Sequence, residues 1–302
     1  MMKWIFRLVG AVVIVALVAV VAQEIRYLNK RRNIVHDRQS IFHSSDVFHV
    51  ATVLKLEPGQ ELLAAVGALV DAIEADGATV VYAGQIAVNA LVSKQIPQED
   101  WDAFVLAQYP SRAAYDSASS NKGLMAARGS FENTYALGMK RSPQLNLFLP
   151  IMLLGTRAAD ILSGHPARYP FTPAPTDQAP PAALAQRDRF VSALLAHREY
   201  GKDACVVLNF IKSGDAAEEA ANEGYGSEMM KMMAELGVGP THMGRAVTLE
   251  GDAEFDQVVI VYYPGVEFFA DMVRGTFFTG IVGGKQLGDS LASPSVPLLP
   301  HI

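Results

Sequence analysis

The chain has 302 residues, half of them hydrophobic, a formal net charge of −6 and a single cysteine. That length allows two domains with real cores, and the acidic balance without a basic stripe excludes a general nucleic-acid binder. One thiol excludes an internal disulfide framework and a cysteine-based zinc site. Cys205 lies in the apolar run 204–208, which marks it as buried filler.

Residues 8–22 carry no charge and are flanked by Lys3 and Arg7 before them and Arg26, Lys30, Arg31 and Arg32 after them. The run is short of the ~20 residues that span a bilayer, but Trp4, Ile5, Phe6, Ile25 and Tyr27 lengthen it if Arg7 snorkels to the headgroups. The expectation is an uncleaved single-pass anchor over 1–32 and a polar tether over 33–46. The setting expected is a bacterial inner membrane with the soluble part periplasmic; secretion after cleavage behind Ala22, or a cytoplasmic face, are the alternatives.

Two stretches, 47–150 and 203–299, repeat one order of elements. WDAFVLAQYPS at 101–111 is echoed by FDQVVIVYYPG at 255–265. The first copy opens with the β-branched strand VFHVATVLKL, broken by Pro58-Gly59. Leu62, Leu63, Val66, Leu69, Val70 and Ile73 then recur at helical spacing up to Gly77. Strands follow at 80–87 and 101–109, then a helix from the cap Ser111 to about Gly138 and a closing strand at 144–149. The second copy offers 204–213, 216–236, 238–249 and 255–263. Its second helix falls over 266–291, where five glycines predict a broken or looped helix. The order is β-α-β-β-α-β, the ferredoxin-like unit, and 151–202, a proline-rich linker with helical flanks, separates the copies as an extended, semi-rigid spacer. Both faces of Phe104-Val105-Leu106-Ala107 and of Val258-Val259-Ile260-Val261 are apolar. Helices cover one face; the sheet of the sister unit is the expected cover for the other.

The pattern from Trp101 to Arg128, WD…VLAQYPSRAAY followed by NKGLMAAR, resembles the dimeric α+β-barrel superfamily, and within it a bacterial branch of unassigned function. The resemblance implies two ferredoxin-like units packed sheet to sheet as an intramolecular pseudo-dimer. It leaves activity open, because the superfamily holds cofactor-free monooxygenases, lactone isomerases, haem peroxidases and domains without known chemistry.

His49 and His242 lie on expected strands and are the candidates for acid, base or metal ligand. Tyr82, Gln85, Tyr109, Asn209, Arg245, Tyr262 and Tyr263 are candidate pocket-wall residues. Met229, Met230, Met232 and Met233 recur at the spacing of a flexible core face, as against a soft metal site with Met243. Asp102 and Asp256 recur beside strand starts and suit turns. No nucleophile elbow, phosphate loop, dinucleotide fingerprint or metalloprotease motif is present. The function expected is a membrane-anchored protein with a small apolar or aromatic ligand between its sheets, no cofactor and no metal. An accessory subunit of a membrane complex and a cofactor-free monooxygenase or isomerase are the alternatives.

Overall fold

The computed structural model describes residues 2–31, 44–96, 98, 100–177 and 180–302. Helix α1 (Met2–Arg31) precedes β1 (Phe48–Lys55), α2 (Leu62–Ala75), β2 (Thr79–Ile86), β3 (Ala103–Tyr109), α3 (Arg112–Ala118), α4 (Lys122–Arg128) and β4 (Asn133–Arg141). Helices α5 (Leu145–Leu162), α6 (Pro181–Leu195) and α7 (Arg198–Gly201) lead to β5 (Cys205–Lys212), α8 (Ala216–Leu236), β6 (Pro240–Thr248) and β7 (Gln257–Tyr263). The chain ends with α9 (Val266–Arg274), α10 (Thr276–Ile281) and β8 (Asp289–Pro297). The fold is mixed α+β. Its eight strands form a closed antiparallel barrel in the order β1-β3-β2-β8-β5-β7-β6-β4.

The alternation within each strand assigns its side chains to two environments. Ala51 and Val53 of β1 join Phe104, Leu106 and Leu137 in the barrel interior, whereas Val50 and Leu54 join Val66, Leu69 and Ile73 of α2 outside it. The apolar-on-both-faces reading of the third strands is explained by this arrangement. The interior is filled: Tyr82, Phe104, Leu106, Leu137, Met139 and Phe210 are all fully buried there.

The two repeated aspartates hold equivalent corners. Asp102 accepts from the Leu56 backbone N–H at 2.8 Å and Asp256 from that of Ser213 at 2.7 Å, each just beyond the end of a first strand. The turn role expected for them is the one they perform.

Several boundaries differ from the sequence expectation. The helix expected from 111 to 138 is α3 and α4, separated by Ser119-Ser120-Asn121. The Asn121 side chain caps α4 through the Gly123 N–H, and residues 133–141 then pair with β1 as β4. The closing strand expected at 144–149 is the first turn and a half of α5, because the apolar run continues at helical spacing through Leu162. The glycine-rich segment is broken as expected, at Gly275 and again after Ile281, and the last strand, β8, begins at Asp289. Met229, Met232 and Met233 are buried in the core. Of the expected tether, 33–43 lies outside the described residues.

Helix α1 is docked at its C-terminal end. The Tyr27 hydroxyl, fully buried, donates to the Pro240 carbonyl at 2.7 Å, and Arg26 donates to the Leu236 carbonyl at 3.0 Å at the end of α8. Its earlier apolar residues from Val9 to Val18 are exposed.

The β2–β8 seam registers only three pairs, Gly84–Pro297, Gln85–Val296 and Ile86–Ser295. Across it the Tyr82 hydroxyl meets Ser295 Oγ at 2.9 Å, and Ser295 Oγ donates to the Val206 carbonyl at 2.7 Å. Tyr82→Phe leaves the serine its carbonyl partner and is expected to cost about 1 kcal/mol, while Tyr82→Ala, which empties a packed site, costs about 3–5 kcal/mol. Denaturant unfolding in detergent measures both; equal losses would show that packing at this seam is immaterial.

Candidate functional site

A cavity of about 460 Å³ lies on the outer face of β5 and β8, under α6, α9 and α10. Its floor is Val207, Ala292 and Pro294; its walls include Leu184 and Phe190 of α6, Phe269 and Val273 of α9, and Phe278 of α10. Phe269 and Val273 share one face of α9 at i,i+4 spacing. Gly265, at φ +98°, opens that helix where a Cβ would strike the Lys202 carbonyl, so only glycine turns the chain here without strain. The size falls within the usual range for small-molecule sites, and the lining is mostly apolar.

The proline-rich segment holds the outer wall in place. Pro173 bridges Gly275, Ala174 N–H donates to the Arg274 carbonyl at 2.9 Å, and Thr276 N–H donates to the Thr172 carbonyl at 2.8 Å. Phe171 packs against Phe268 and Phe277, at ring-centroid separations of 5.3 and 6.1 Å. The stretch is extended, as its prolines suggest, and is strapped across the α9–α10 junction.

Two cations reach this apolar space. Lys285 enters from the loop before β8, with its Nζ 3.4 Å from Asn209 Oδ1, and burial lowers its ammonium from 10.5 to about 8. Arg187 of α6 lines the wall and lies 3.5 Å from Asp188, a largely exposed carboxylate that neutralises it weakly. Asn209 is fixed in turn: its amide donates to the Val259 carbonyl at 3.1 Å. The arrangement offers a ring-sized apolar volume with one partly desolvated amine at its edge.

The cavity is on the helix side of the sheet, whereas the sequence reading placed a ligand space between the sheets, where packed side chains now stand. Of the residues nominated from sequence, Asn209 adjoins the cavity through Lys285. Tyr82 points into the barrel to Ser295, and the Tyr262 hydroxyl donates to the Asp203 carbonyl at 3.1 Å. Tyr263 is buried edge-on to Phe269 at 4.7 Å, behind the cavity wall. Tyr109 packs edge-on to Tyr115 in the other half at 5.3 Å, and Gln85 lies in the β2–β8 seam, between Ala103 and Val296. Arg245 is exposed on β6. His49 and His242, both buried, are brought together inside the barrel with ring centroids 5.2 Å apart. Burial pushes the Cys205 thiol well up, which suits an inert core residue.

Sequence reasoning missed Lys285 and Arg187; it expected helix at the flanks of the 151–202 linker, where α6 lies, but gave it no part in a site. A signal for the first was present: Lys285 is the one charge in the glycine- and phenylalanine-rich run 275–288.

No family model and no curated protein matches the chain. Among solved structures, it is similar to a candidate monooxygenase from Lactobacillus acidophilus NCFM, at 9% identity and TM-score 0.40 over 83% of this chain and 94% of that one. It is likewise similar to a chlorite dismutase from Candidatus Nitrospira defluvii, at 10% identity and TM-score 0.42 over 87% and 96%. A protein of unknown function from Rhodopseudomonas palustris is 22% identical over 32% of this chain and 83% of its own, at TM-score 0.24. Likenesses of this size transfer no chemistry to the chain.

The Lys285 environment has a pH signature. Between pH 8 and 10.5 the unfolded chain still holds the proton that the folded chain has released, so the burial penalty is largest below pH 8 and is relieved as pH rises. Lys285→Met should therefore be more stable than the parent by about 1–3 kcal/mol at pH 7, with the gap closing from pH 8 to 10.5. Unfolding titrations across that range measure it; a gap that ignores pH would place the ammonium in water.

Proposed function

We propose that the chain is a membrane-anchored binding protein whose ligand is a small, largely apolar or aromatic molecule carrying one acidic or hydrogen-bond-accepting group. The observation that carries this is the half-open, mostly apolar cavity with a single lowered-pKa amine at its edge. A compound of fused-ring size fits the volume, and its acidic group would take the place of water beside Lys285. In this reading the protein consists of two ferredoxin-like units, 47–150 and 203–299, arranged as an internal pseudo-dimer. The equivalent corners at Asp102 and Asp256, and third strands exactly in step at 103–109 and 257–263, support it.

Register explains why only one half would keep a ligand space. Phe48 stands opposite Tyr109, and its ring covers Gly138, which pairs with Val50. In the other half Cys205 stands opposite Tyr263, and Pro294 pairs with Val207. A thiol replaces the phenyl ring, and the cavity lies over Val207 and Pro294.

The anchor reading assigns α1 to a bacterial inner membrane as a single pass, with the barrel on the periplasmic side. Its support is the exposed apolar surface of α1 and the docking of its far end by Tyr27. The His49–His242 approach supports a second reading, a cofactor-free monooxygenase or isomerase with the pair as acid and base.

Calorimetric titration of the nanodisc-embedded full chain with 2-naphthoate tests the first reading. Ala292→Phe, which fills the floor, is expected to weaken binding by about tenfold or more, and Lys285→Met to weaken naphthoate while sparing uncharged 2-methylnaphthalene. Equal affinity in parent and Ala292→Phe would remove the cavity from consideration. If binding survives there but is lost in His49→Gln, the site lies in the barrel and the second reading gains.

A further inference from the structure

Helix α5 has its polarity turned inside out. Its outward residues include Phe148, Met152, Ile161 and Leu162, exposed by 56, 48, 59 and 87%. Ile151, Gly155, Ala158 and Ala159 complete the exposed set, so every fully exposed position of the helix is apolar. The polar residues face the protein. Asn146 is buried and accepts from Arg141; Asp160 is buried and pairs with Arg168 at 2.6 Å; Arg157 lies 3.6 Å from Asp160 and from Glu235. A helix resting on a protein in water shows the opposite order, with its charges outward.

The surface next to this face is also apolar. The end of α1 packs against α5, with Tyr27 and Leu153 meeting at Gly239, and the exposed apolar run of α1, Val9 to Val18, lies on the same helix. The two uncovered apolar surfaces thus adjoin. Both helices have the length and hydropathy of a membrane span. Helix α5, however, is bound along α8 and ion-paired to it through Glu228 and Glu235 by way of Arg157 and Arg168, so crossing a bilayer would break buried ion pairs.

We infer that α5 is an interfacial helix, lying on the membrane that α1 crosses with its Phe148–Leu162 face sunk into the headgroup–acyl boundary. This rests on α1 being an anchor. It fixes the barrel against the bilayer by two contacts, one spanning and one lying flat. A helix of this kind is buried about 5–10 Å below the headgroups, and its affinity follows the apolar area it submerges.

Nitroxide labels on single introduced cysteines of the full chain in phosphatidylcholine–phosphatidylglycerol vesicles test this; the native Cys205 is fully buried and does not compete. Sites are Val13→Cys in α1, Met152→Cys and Ile161→Cys in α5, and Lys122→Cys in α4 as a water-facing reference. Collision with oxygen relative to a water-soluble nickel chelate is expected to be roughly threefold or more higher at both α5 sites than at Lys122→Cys, and higher again at Val13→Cys. Water-like values at both α5 sites with a lipid-like Val13 site would overturn the inference and leave the anchor standing. Lipid-like α5 sites with a water-like Val13 site would uphold α5 as a membrane contact and reject the anchor. Water-like values at all three sites overturn both. If the α5 labels are shielded from both reagents and broadened by spin–spin coupling, a second copy covers the face; shielding without coupling means another protein does. Either result rejects lipid.

Discussion

Barrel closure is the constraint from which the rest of the structure follows. A four-stranded sheet in the order β4-β1-β3-β2, or β8-β5-β7-β6, leaves two edges whose unpaired amides and carbonyls would seek another strand. Each half supplies the edges the other lacks, β2 to β8 and β4 to β6. The second seam registers five pairs and the first only three, so the first depends more on side chains. The Tyr82–Ser295–Val206 chain of hydrogen bonds supplies them, in a position where an unpartnered hydroxyl would be costly.

Closure also decides where a ligand can be held. Eight strands enclose a space that side chains just fill, and here Phe104, Phe210, Leu106 and Met139 fill it. Room must then come from the helical layer, and it exists only where that layer fails to cover the sheet. In the first half the Phe48 ring, tilted against Tyr115 at 5.9 Å, covers the sheet at Gly138. In the second half the same register carries a cysteine, α9 and α10 are parted at Gly275, and the cavity lies between them and the sheet.

The strands of this fold were legible because their signals are local and repeated. The 101–109 and 255–263 runs carry period-independent apolarity, Asp at a fixed place and Tyr-Pro at the end, and each became a central strand. The helix-to-strand transition after Gly129 was not legible, since Asn133 to Arg141 has no strict alternation and its pairing with β1 is set by residues 80 positions away. Nor was the start of α5, whose opening residues have the composition of a strand; beyond Pro150 the helix falls in the flank expected to be helical. The cavity was hidden for another reason: its walls come from α6, which has no repeat partner, and from α9 and the glycine-rich run, where the second copy departs from the first.

Helix α8 joins the two features that look functional. Near its C-terminal end Glu235 lies beside Arg157 of α5, and Leu236 accepts from Arg26 of α1. Toward its middle, Ala221 and Tyr225 meet Gly284, the residue before Lys285. One 21-residue helix therefore runs from the apolar outer surface to the rim of the apolar cavity. Both features select the same kind of molecule. A compound apolar enough to fill the space over Val207 concentrates in a bilayer far above its level in water, so a binding protein placed as proposed, flat against that bilayer, would sample the higher concentration. In the proposed function the single amine at the rim would discriminate among such molecules by their polar end, which apolar walls cannot do, since one methylene more or less changes binding by only about 1–3 kcal/mol.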